Sequence, residues 1–427
     1  MSEPSPDHHA ADHDRETAHG GSQQRPGALD GIRVLDLTQV MSGPFCTMIL
    51  ADLGADVIKI ENPEHGDQTR KSWGYSVIGE DSRAFLSLNR NKRSVVLDLK
   101  DDGDHRTFLE LVRTADVVVE NFRPGVAERL GVDYPTLRAV NDRIIYGSIS
   151  GFGRTGPYAT HPGYDLIAQA MTGIMSVMGQ PGEPPVKSAI PVGDLGAGLF
   201  CCIGILGALM SRQRTGTGQY VETSLFEAAL ALSVWESTEF WSTGKAPEPL
   251  GSANRMSAPY QALATADGYL TIGANNEKLW RLLCGVLELP ELLDDPRFVD
   301  NNHRMDHREE LAARLEKRLA DRTTDEWVTA LLAAGVPAGP IRDYAYVLTE
   351  DPHVRARNMV TTYDHPVEGE TSVLNSPITL SDTPVREAAS APLLGEHTAD
   401  VLAELAVHSG ASAAPRSAKQ AEERIGE

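Results

Sequence analysis

Short apolar runs alternate with amphipathic stretches along the first half of the chain. Residues 34–37 and 56–60 are apolar runs typical of buried strands, and 45–53 between them has the composition of a helix. Ser42 suits a helix N-cap and Gly54 a helix end, so this segment predicts a strand, a helix and a second strand. The same alternation predicts further strands at 94–99, 115–120 and 143–149, and a helix at 104–113. Repeated units of this kind indicate a parallel sheet covered by helices on both faces.

The pattern continues with more helices and then changes. Helices are predicted at 164–177, 195–210 and 225–239, with a strand at 219–223 and an irregular linker at 241–258. A strand at 269–272 and helices at 277–287, 306–319 and 325–334 follow, then strands at 359–363 and 371–374 and a helix at 398–406. The fold class expected is therefore α/β, with a Rossmann-like parallel-sheet domain and a second, smaller α+β domain.

Five segments are predicted from these elements. They are a polar tail (1–27), a large α/β domain (28–225), a linker with the small domain (226–339), a return to the large domain (340–408) and a second tail (409–427).

Charge and composition narrow the function classes. Asp plus Glu total 60 against 39 for Lys plus Arg, a formal charge of -21 that disfavours nucleic acid or an anionic membrane as a partner. The four cysteines form no C-x-x-C pair, which fits a reducing, cytoplasmic setting. The uncharged run 195–210 is shorter than the roughly 20 residues that cross a bilayer, so a buried helix is expected there.

A group of histidines in the N-terminal tail is the only candidate for metal binding by composition. They have no cysteine partners and no ordered scaffold, so no metal site is expected from them. The residues are His8, His9, His13 and His19.

Candidate chemistry begins with Asp165. Common hydrolase, metalloprotease and P-loop motifs are absent from the sequence. Asp165 follows a Gly- and Pro-rich stretch (150–163) and starts a largely apolar helix, where a carboxylate can be desolvated and directed into a cleft. The alternative is an ordinary N-cap aspartate.

A second candidate is the basic island, Asn89 to Arg93 together with Arg83. In so acidic a chain, an island of this kind predicts a site for an anionic ligand such as a phosphate. The alternative is a solvated turn that leads into a strand.

Several segments, in this order and spacing, resemble the class III coenzyme A transferases (CaiB/BaiF), the family of formyl-CoA and carnitine CoA-transferases. The resemblance extends from about Leu29 to Leu405. The segments that carry it are 34–38, 42–44, 53–61, 91–94, 120–125, Gly163-Tyr164-Asp165, 216–219 and 392–398.

The resemblance implies an enzyme that moves coenzyme A (CoA) from an acyl-CoA to a carboxylic acid. Asp165 would attack the thioester to form a mixed anhydride, and the released thiolate would return to give an aspartyl-CoA thioester. It implies an interlocked, ring-like homodimer and no metal or tightly bound cofactor. By position, the CoA contacts it implies are Val40, Met41, Ser42, Lys92 and Arg129, with Lys59 and Arg93 as further candidates, and a substrate loop at Gly251, Ser252 and Ala253.

Two departures from the family pattern keep alternatives open. Formyl-CoA transferases have a glutamine at Met41 and a glycine run at 251–255, so an oxalate and formate pairing is doubtful here. Racemases of the same fold have a histidine at Tyr164; its absence favours transfer, although His161 lies close in sequence. A CoA-binding protein without turnover is a third reading, against which Asp165 argues.

Overall fold

A computed structural model of the chain describes residues 25–71 and 81–408. Its centre is a six-stranded sheet in the order β3-β2-β1-β4-β5-β6, with every neighbouring pair parallel. This confirms the predicted α/β fold. The strands are β1 (Arg33–Asp36), β2 (Asp56–Glu61), β3 (Lys92–Val96), β4 (Val117–Glu120), β5 (Ile145–Ser150) and β6 (Tyr220–Ser224).

Helices cover both faces of this sheet. Neighbouring residues of β1 serve opposite faces: Val34 packs in the core beneath α1 and α8, and Leu35 packs in the core beneath α3. Burial on both faces explains why the strands are continuous apolar runs. The helices of this part are α1 (Ser42–Asp52), α2 (Arg83–Leu88), α3 (Asp102–Thr114), α4 (Val126–Arg129), α5 (Tyr134–Val140), α6 (Asp165–Met171), α7 (Ile174–Val177), α8 (Val192–Thr215), α9 (Leu225–Leu232) and α10 (Val234–Thr243).

Helix α8 is longer than the sequence predicts. Within the described residues, this 24-residue helix alone is long and apolar enough to cross a membrane, yet half of its most apolar window is buried inside the protein. The buried half packs on α1, α9, β5 and β6. It is therefore the central core helix of one sheet face.

A smaller antiparallel sheet forms a separate core. It pairs β7 (Tyr260–Ala264) with β8 (Tyr269–Gly273) and β8 with β9 (Ala338–Pro340). Trp280 and Trp327 lie in the core that this sheet shares with its helices. Those helices are α11 (Glu277–Val286), a short 3₁₀ turn (Pro290–Leu293), α12 (Asn301–Asp306), α13 (Arg308–Leu319) and α14 (Thr324–Ala333).

The last part of the chain contacts β3 and α2 of the large sheet. Thr371 accepts a hydrogen bond from Arg83, Thr398 accepts one from the backbone of Val96, and Val401 is buried beside α3. Its elements are α15 (Tyr344–Thr349), α16 (Pro352–Ala356), the hairpin β10 (Val360–His365) and β11 (Gly369–Leu374), and α17 (Thr398–His408). Tail residues 1–24, with their four histidines, and 409–427 lie outside the described residues.

Candidate active site

The strand order reverses between β1 and β4, and ligands of open parallel sheets bind at the carboxyl edge of such a reversal. The loops that leave these two strands are joined there. The backbone N–H of Gln39 donates to Asn121 Oδ1 at 2.9 Å, and Asn121 Nδ2 donates to the Gln39 carbonyl at 2.7 Å. The β1–α1 loop is thus held over the sheet edge.

Val40, in this loop, has a backbone conformation rare for a β-branched residue. Its φ is +70°, in the left-handed region, so surrounding contacts must hold it. Its N–H donates to Asp67 Oδ1 at 3.2 Å. Lys59 binds the other Asp67 oxygen at 2.9 Å and the Thr38 carbonyl at 2.7 Å. A buried ion pair therefore fixes the loop expected to meet CoA.

The sequence expectation for Ser42 was wrong as to its place in the helix. Ser42 is the first residue of α1, and Met41 occupies the N-cap position without a side-chain cap. A Cβ added at position 43 would lie 2.3 Å from Thr38 Cβ. The turn into α1 is therefore too tight for any residue but glycine at this position.

Asp165 is the first residue of α6 and does not cap its own helix, where Tyr164 is the N-cap. Asp165 Oδ1 accepts hydrogen bonds from the backbone N–H groups of Gly193 at 2.8 Å and Asp194 at 3.4 Å. Its Oδ2 accepts one from Gln169 Nε2 at 2.6 Å. The carboxylate thus lies against the N-terminus of α8, and the simple N-cap alternative is wrong.

Gln169 orients Asp165 from within the fold. Gln169 is completely buried and lies one helical turn after Asp165. Its side-chain oxygen Oε1 accepts a hydrogen bond from the Ser188 N–H at 2.8 Å. Gly193 is needed on the other side, since a Cβ there would lie 3.0 Å from Asp165 Oδ1. The sequence reasoning missed both residues; only the i, i+4 spacing of Gln169 was visible in the sequence.

Asp194 was also missed as a candidate. It lies in the first turn of α8, next to the Asp165 carboxylate. Burial, together with the nearby charge of Asp165, raises the pKa of Asp194 to about 7. An aspartate that titrates near neutrality beside a second carboxylate is typical of functional sites.

The β1–α1 loop and Asp165 meet the same end of α8. Gly198 is five residues after Gly193, about 7.5 Å further along the helix. A Cβ on Gly198 would lie 2.6 Å from the Ser42 carbonyl oxygen, so α1 begins directly against α8. Ser42 and Asp165 are therefore brought within the reach of one extended ligand.

Lys92 lies away from solvent. Its Nζ donates to Asp36 at 3.0 Å, to the Pro44 carbonyl at 3.1 Å, to Thr47 at 2.8 Å and to Asn89 at 2.9 Å. The ammonium has no donor left for a phosphate. The geometry therefore disagrees with the expected CoA contact at Lys92 and gives this residue, like Lys59, a structural place.

Three of the four cations of the basic island, Lys92 included, are paired with carboxylates. Arg90 pairs with Asp52 at 2.6 Å, and Arg93 pairs with Asp56 and Glu404, each at 2.7 Å. The fourth cation, Arg83, donates to the Thr371 hydroxyl at 2.9 Å. The three paired cations therefore do not form a free anion site. Arg129 differs: it is exposed, and none of the ion pairs among the described residues involves it.

Within the described residues, neither the 251–253 turn nor His161 forms a hydrogen bond with the Asp165 carboxylate. Gly251 donates to the Gly179 carbonyl at 2.8 Å, so the 251–253 turn rests on the loop after α7. His161 packs on Tyr158 and Phe152, and no hydrogen bond among residues 25–71 and 81–408 joins it to Asp165. No group of ligating side chains that could hold a metal occurs in those ranges.

Comparisons with known proteins find similarity to one family along almost the whole chain. A family model described as CoA-transferase family III matches residues 29–398. An acetyl-CoA:oxalate CoA-transferase of Acetobacter aceti is 44% identical over 384 residues, which is 89% of this chain and 96% of that protein. A succinyl-CoA:glutarate CoA-transferase of Mus musculus is 39% identical over 377 residues, 88% of this chain and 86% of that protein. A CaiB/BaiF family protein from Brucella suis has a similar crystal structure, with a TM-score of 0.79 and 39% identity over 90% of this chain and 100% of that chain.

Proposed function

The chain belongs to CoA-transferase family III and is an enzyme that transfers CoA, and on this premise we propose that Asp165 is its covalent nucleophile. The observation that carries the proposal is the setting of the carboxylate. Asp165 is partly buried, starts a helix, and is held by Gln169 and the first amides of α8. A carboxylate fixed in this way is positioned to attack without reorganising.

The reaction begins with attack by an Asp165 oxygen on the thioester carbonyl carbon of the donor. A C–O bond forms, the C–S bond breaks, and CoA leaves as the thiolate, giving a mixed anhydride. The thiolate then attacks Cγ of Asp165, and the donor acid departs with the bridging oxygen. An acceptor carboxylate attacks the resulting aspartyl-CoA thioester and reverses both steps to give the new acyl-CoA.

When the CoA thiolate adds to Cγ of Asp165, negative charge develops on the Asp165 oxygen that becomes the carbonyl oxygen of the aspartyl-CoA thioester. Oδ1 already accepts hydrogen bonds from the N–H groups of Gly193 and Asp194. These amides would therefore stabilise the negative charge on Oδ1 as it develops. Gln169 would hold Oδ2 as the oxygen that attacks and later leaves. The two oxygens then have separate tasks.

Small dicarboxylic acids are the substrate class that we propose. The relatives are an acetyl-CoA:oxalate and a succinyl-CoA:glutarate CoA-transferase, and oxalate and glutarate are dicarboxylates. A screen of succinyl-CoA and acetyl-CoA against oxalate, glutarate and monocarboxylic acids tests this. Transfer to monocarboxylic acids alone would contradict it.

The CoA contacts that remain in the proposal are Val40, Met41 and Ser42 for the chain of CoA, and Arg129 for its phosphates or adenine. The strained loop and its proximity to the N-terminal end of α8 support the first three. The exposed guanidinium of Arg129, which forms no ion pair within residues 25–71 and 81–408, supports its assignment. The turn Gly251, Ser252 and Ala253 stays a candidate for the loop that closes over the substrate.

We also propose a homodimer, because many large apolar side chains of α6, α8, α9 and α10 are exposed among the described residues. Ile203 on α8 and Trp241 on α10 are 61% and 77% exposed. A second copy of the chain is the proposed partner that covers these side chains. The others are Leu166, Ile167, Met171, Leu199, Phe200, Met210, Leu230, Leu232, Val234, Trp235 and Phe240.

The deciding variant for the nucleophile is Asp165→Asn. It keeps the shape and the acceptor toward Gly193, but it turns an N–H₂ group toward Gln169, which costs about 1–2 kcal/mol of stability. The amide cannot form the anhydride, so transfer should fall by several orders of magnitude while CoA still binds. Steady-state transfer assays, thermal unfolding and CoA binding by calorimetry check the three parts. Near-normal transfer by the variant would overturn the mechanism.

A further inference from the structure

Asp194 takes no part in the steps above through its side chain, yet it lies where those steps change the local charge. Its own N–H points to Asp165 Oδ1 at 3.4 Å, so two carboxylates share the N-terminus of α8. Within the described ranges, no hydrogen bond or ion pair holds the Asp194 carboxyl. Burial and the neighbouring charge of Asp165 therefore act together on the protonation of this carboxyl group.

Among the described residues, burial and the charge of Asp165 are the two influences on the protonation of Asp194. The other charged or titratable groups of α8 and of the elements packed against it contact other partners or lie at the far end of α8. They are Arg212 of α8, paired with Asp116; Arg214, exposed in the last turn of α8; Cys201 and Cys202 of α8 and Cys46 of α1, buried together; Asp52 of α1, paired with Arg90; Glu227 of α9, bound to Ser224; Glu222 of β6, bound to the Arg154 N–H; and Tyr146 of β5 and Tyr220 of β6, which stack on each other.

Covalent chemistry at Asp165 removes that charge. The free carboxylate is negative, whereas the anhydride and the thioester are neutral at Asp165. The charge of Asp165 therefore opposes the ionisation of Asp194 in the free enzyme, and this opposition disappears in the covalent enzyme. By thermodynamic linkage, the proton on Asp194 and the covalent bond on Asp165 influence each other equally.

We propose that Asp194 exchanges a proton with water as Asp165 alternates between its free and covalent states, and that its ionised form favours the covalent state. The proposal rests on the proposed function of Asp165. In the free enzyme, burial and the charge of Asp165 favour the protonated form of Asp194 up to about neutral pH. When Asp165 becomes the aspartyl-CoA thioester, the donor acid leaves as a carboxylate, and Asp194 releases its proton to water. The reverse reaction takes the proton up again.

The proton balance isolates Asp194. Formation of the thioester consumes one carboxylate, that of Asp165, and produces one, that of the donor acid, so the exchange itself neither releases nor binds a proton. Any proton released comes from a protein group whose surroundings changed. The ratio of covalent to free enzyme should therefore rise with pH up to about neutral pH, by a total of about tenfold for each unit by which the Asp165 charge raises the pKa of Asp194.

The test compares three proteins without an acceptor acid. They are wild type, Asp194→Asn and a control, Asp102→Asn, which changes an exposed aspartate in the first turn of α3. Each is mixed with succinyl-CoA or acetyl-CoA, whichever supports transfer. Intact-protein mass spectrometry gives the covalent fraction from about pH 5.5 to about pH 8.5. The fraction should rise with pH in wild type and in Asp102→Asn, and stay level in Asp194→Asn.

A second measurement needs no variant. Wild type mixed with the same donor in weakly buffered solution should release up to about one proton per covalent site near neutral pH, which an indicator dye follows. An equal rise in Asp194→Asn, or no proton release by wild type during adduct formation, would overturn the role of Asp194 while leaving the nucleophile in place. Absence of any covalent adduct in wild type would overturn the proposed function and this proposal with it.

Discussion

At the scale of single residues, the pair of Lys92 and Asp36 is buried, and each residue affects the charge state of the other. Burial alone would raise the pKa of Asp36, but Lys92 and Lys59 lower it below its usual value. Burial lowers the pKa of Lys92 to about 8, although the negative charge of Asp36 acts to raise it. Each charge is thus stable only because the other is present.

Lys92→Ala should therefore unfold more easily, by about 3–5 kcal/mol, because it leaves Asp36 buried without its partner. Urea denaturation at neutral pH measures this. The matched control is Arg129→Ala, which removes an exposed, unpaired cation. It should keep the stability of wild type and weaken CoA binding in a salt-dependent way. A Lys92→Ala protein as stable as wild type, with weakened CoA binding, would restore Lys92 as a phosphate ligand.

Asp194 should lower stability as pH rises. Its pKa is raised from 3.8 to about 7 in the folded protein, so the native state holds a proton that the unfolded state has lost between these values. Asp194→Asn should accordingly be more stable than wild type at neutral and higher pH, by on the order of 2 kcal/mol, and gain little near pH 4. Urea midpoints over this range check the trend; an equal gain at every pH would contradict it.

The sequence indicated Asp165 but not the groups that act on it. Gly193 is 28 positions away and meets Asp165 only because α6 and α8 pack together. The predicted anion site at the basic island was wrong for the same reason. Lys92 pairs with Asp36, 56 positions away, and Arg90 pairs with Asp52, 38 positions away. Charge runs in sequence do not reveal whether folding neutralises them.

At the scale of elements, the contact between α1 and α8 links CoA binding to the fold. In Gly198→Ala, the new Cβ would lie 2.6 Å from the Ser42 carbonyl, so α1 and the loop before it must shift. The variant should lose about 1–3 kcal/mol of stability and raise KM for acyl-CoA more than it lowers kcat.

Gly285→Ala is the matched control for this helix-interior change. Nothing lies within 4 Å of a Cβ at Gly285 on α11, so alanine should stabilise the protein by up to about 1 kcal/mol and leave KM unchanged. Equal KM values in the two variants would contradict the link between α8 and the CoA loop.

Long periodic elements were predicted well, and short or irregular ones were not. The strands of the parallel sheet and α3, α8, α11, α13 and α14 follow from their apolar patterns. The predicted helix 225–239 is split at Ser233, where ψ is 50°, by a change of direction that composition does not indicate. Strand β9 has only three residues and owes its conformation to pairing with β8. Tertiary contacts decide such elements.

At the scale of the whole molecule, the uncovered apolar surface predicts an obligate dimer. The resemblance to the family implies a dimer, and we propose that it forms through the exposed apolar side chains of α6, α8, α9 and α10. Sedimentation velocity at micromolar concentration should give twice the 46.2 kDa mass of one chain. A folded monomer would contradict this.

A charged substitution tests which surface is involved. Ile203→Glu on the exposed face of α8 should dissociate or destabilise the dimer, since it buries an unpaired carboxylate in the interface. Leu348→Glu, at a similarly exposed apolar residue on α15, is the control and should leave the mass unchanged.

The most direct measurement of covalent catalysis by Asp165 follows oxygen atoms. In the proposed reaction, the bridging oxygen leaves with the donor acid and is replaced by one from the acceptor. After many turnovers with an acceptor acid labelled with heavy oxygen, the peptide that contains Tyr164 and Asp165 should carry heavy oxygen at the Asp165 carboxylate, as fragment mass spectra would show. An unlabelled Asp165 in enzyme that has turned over many times would contradict the account.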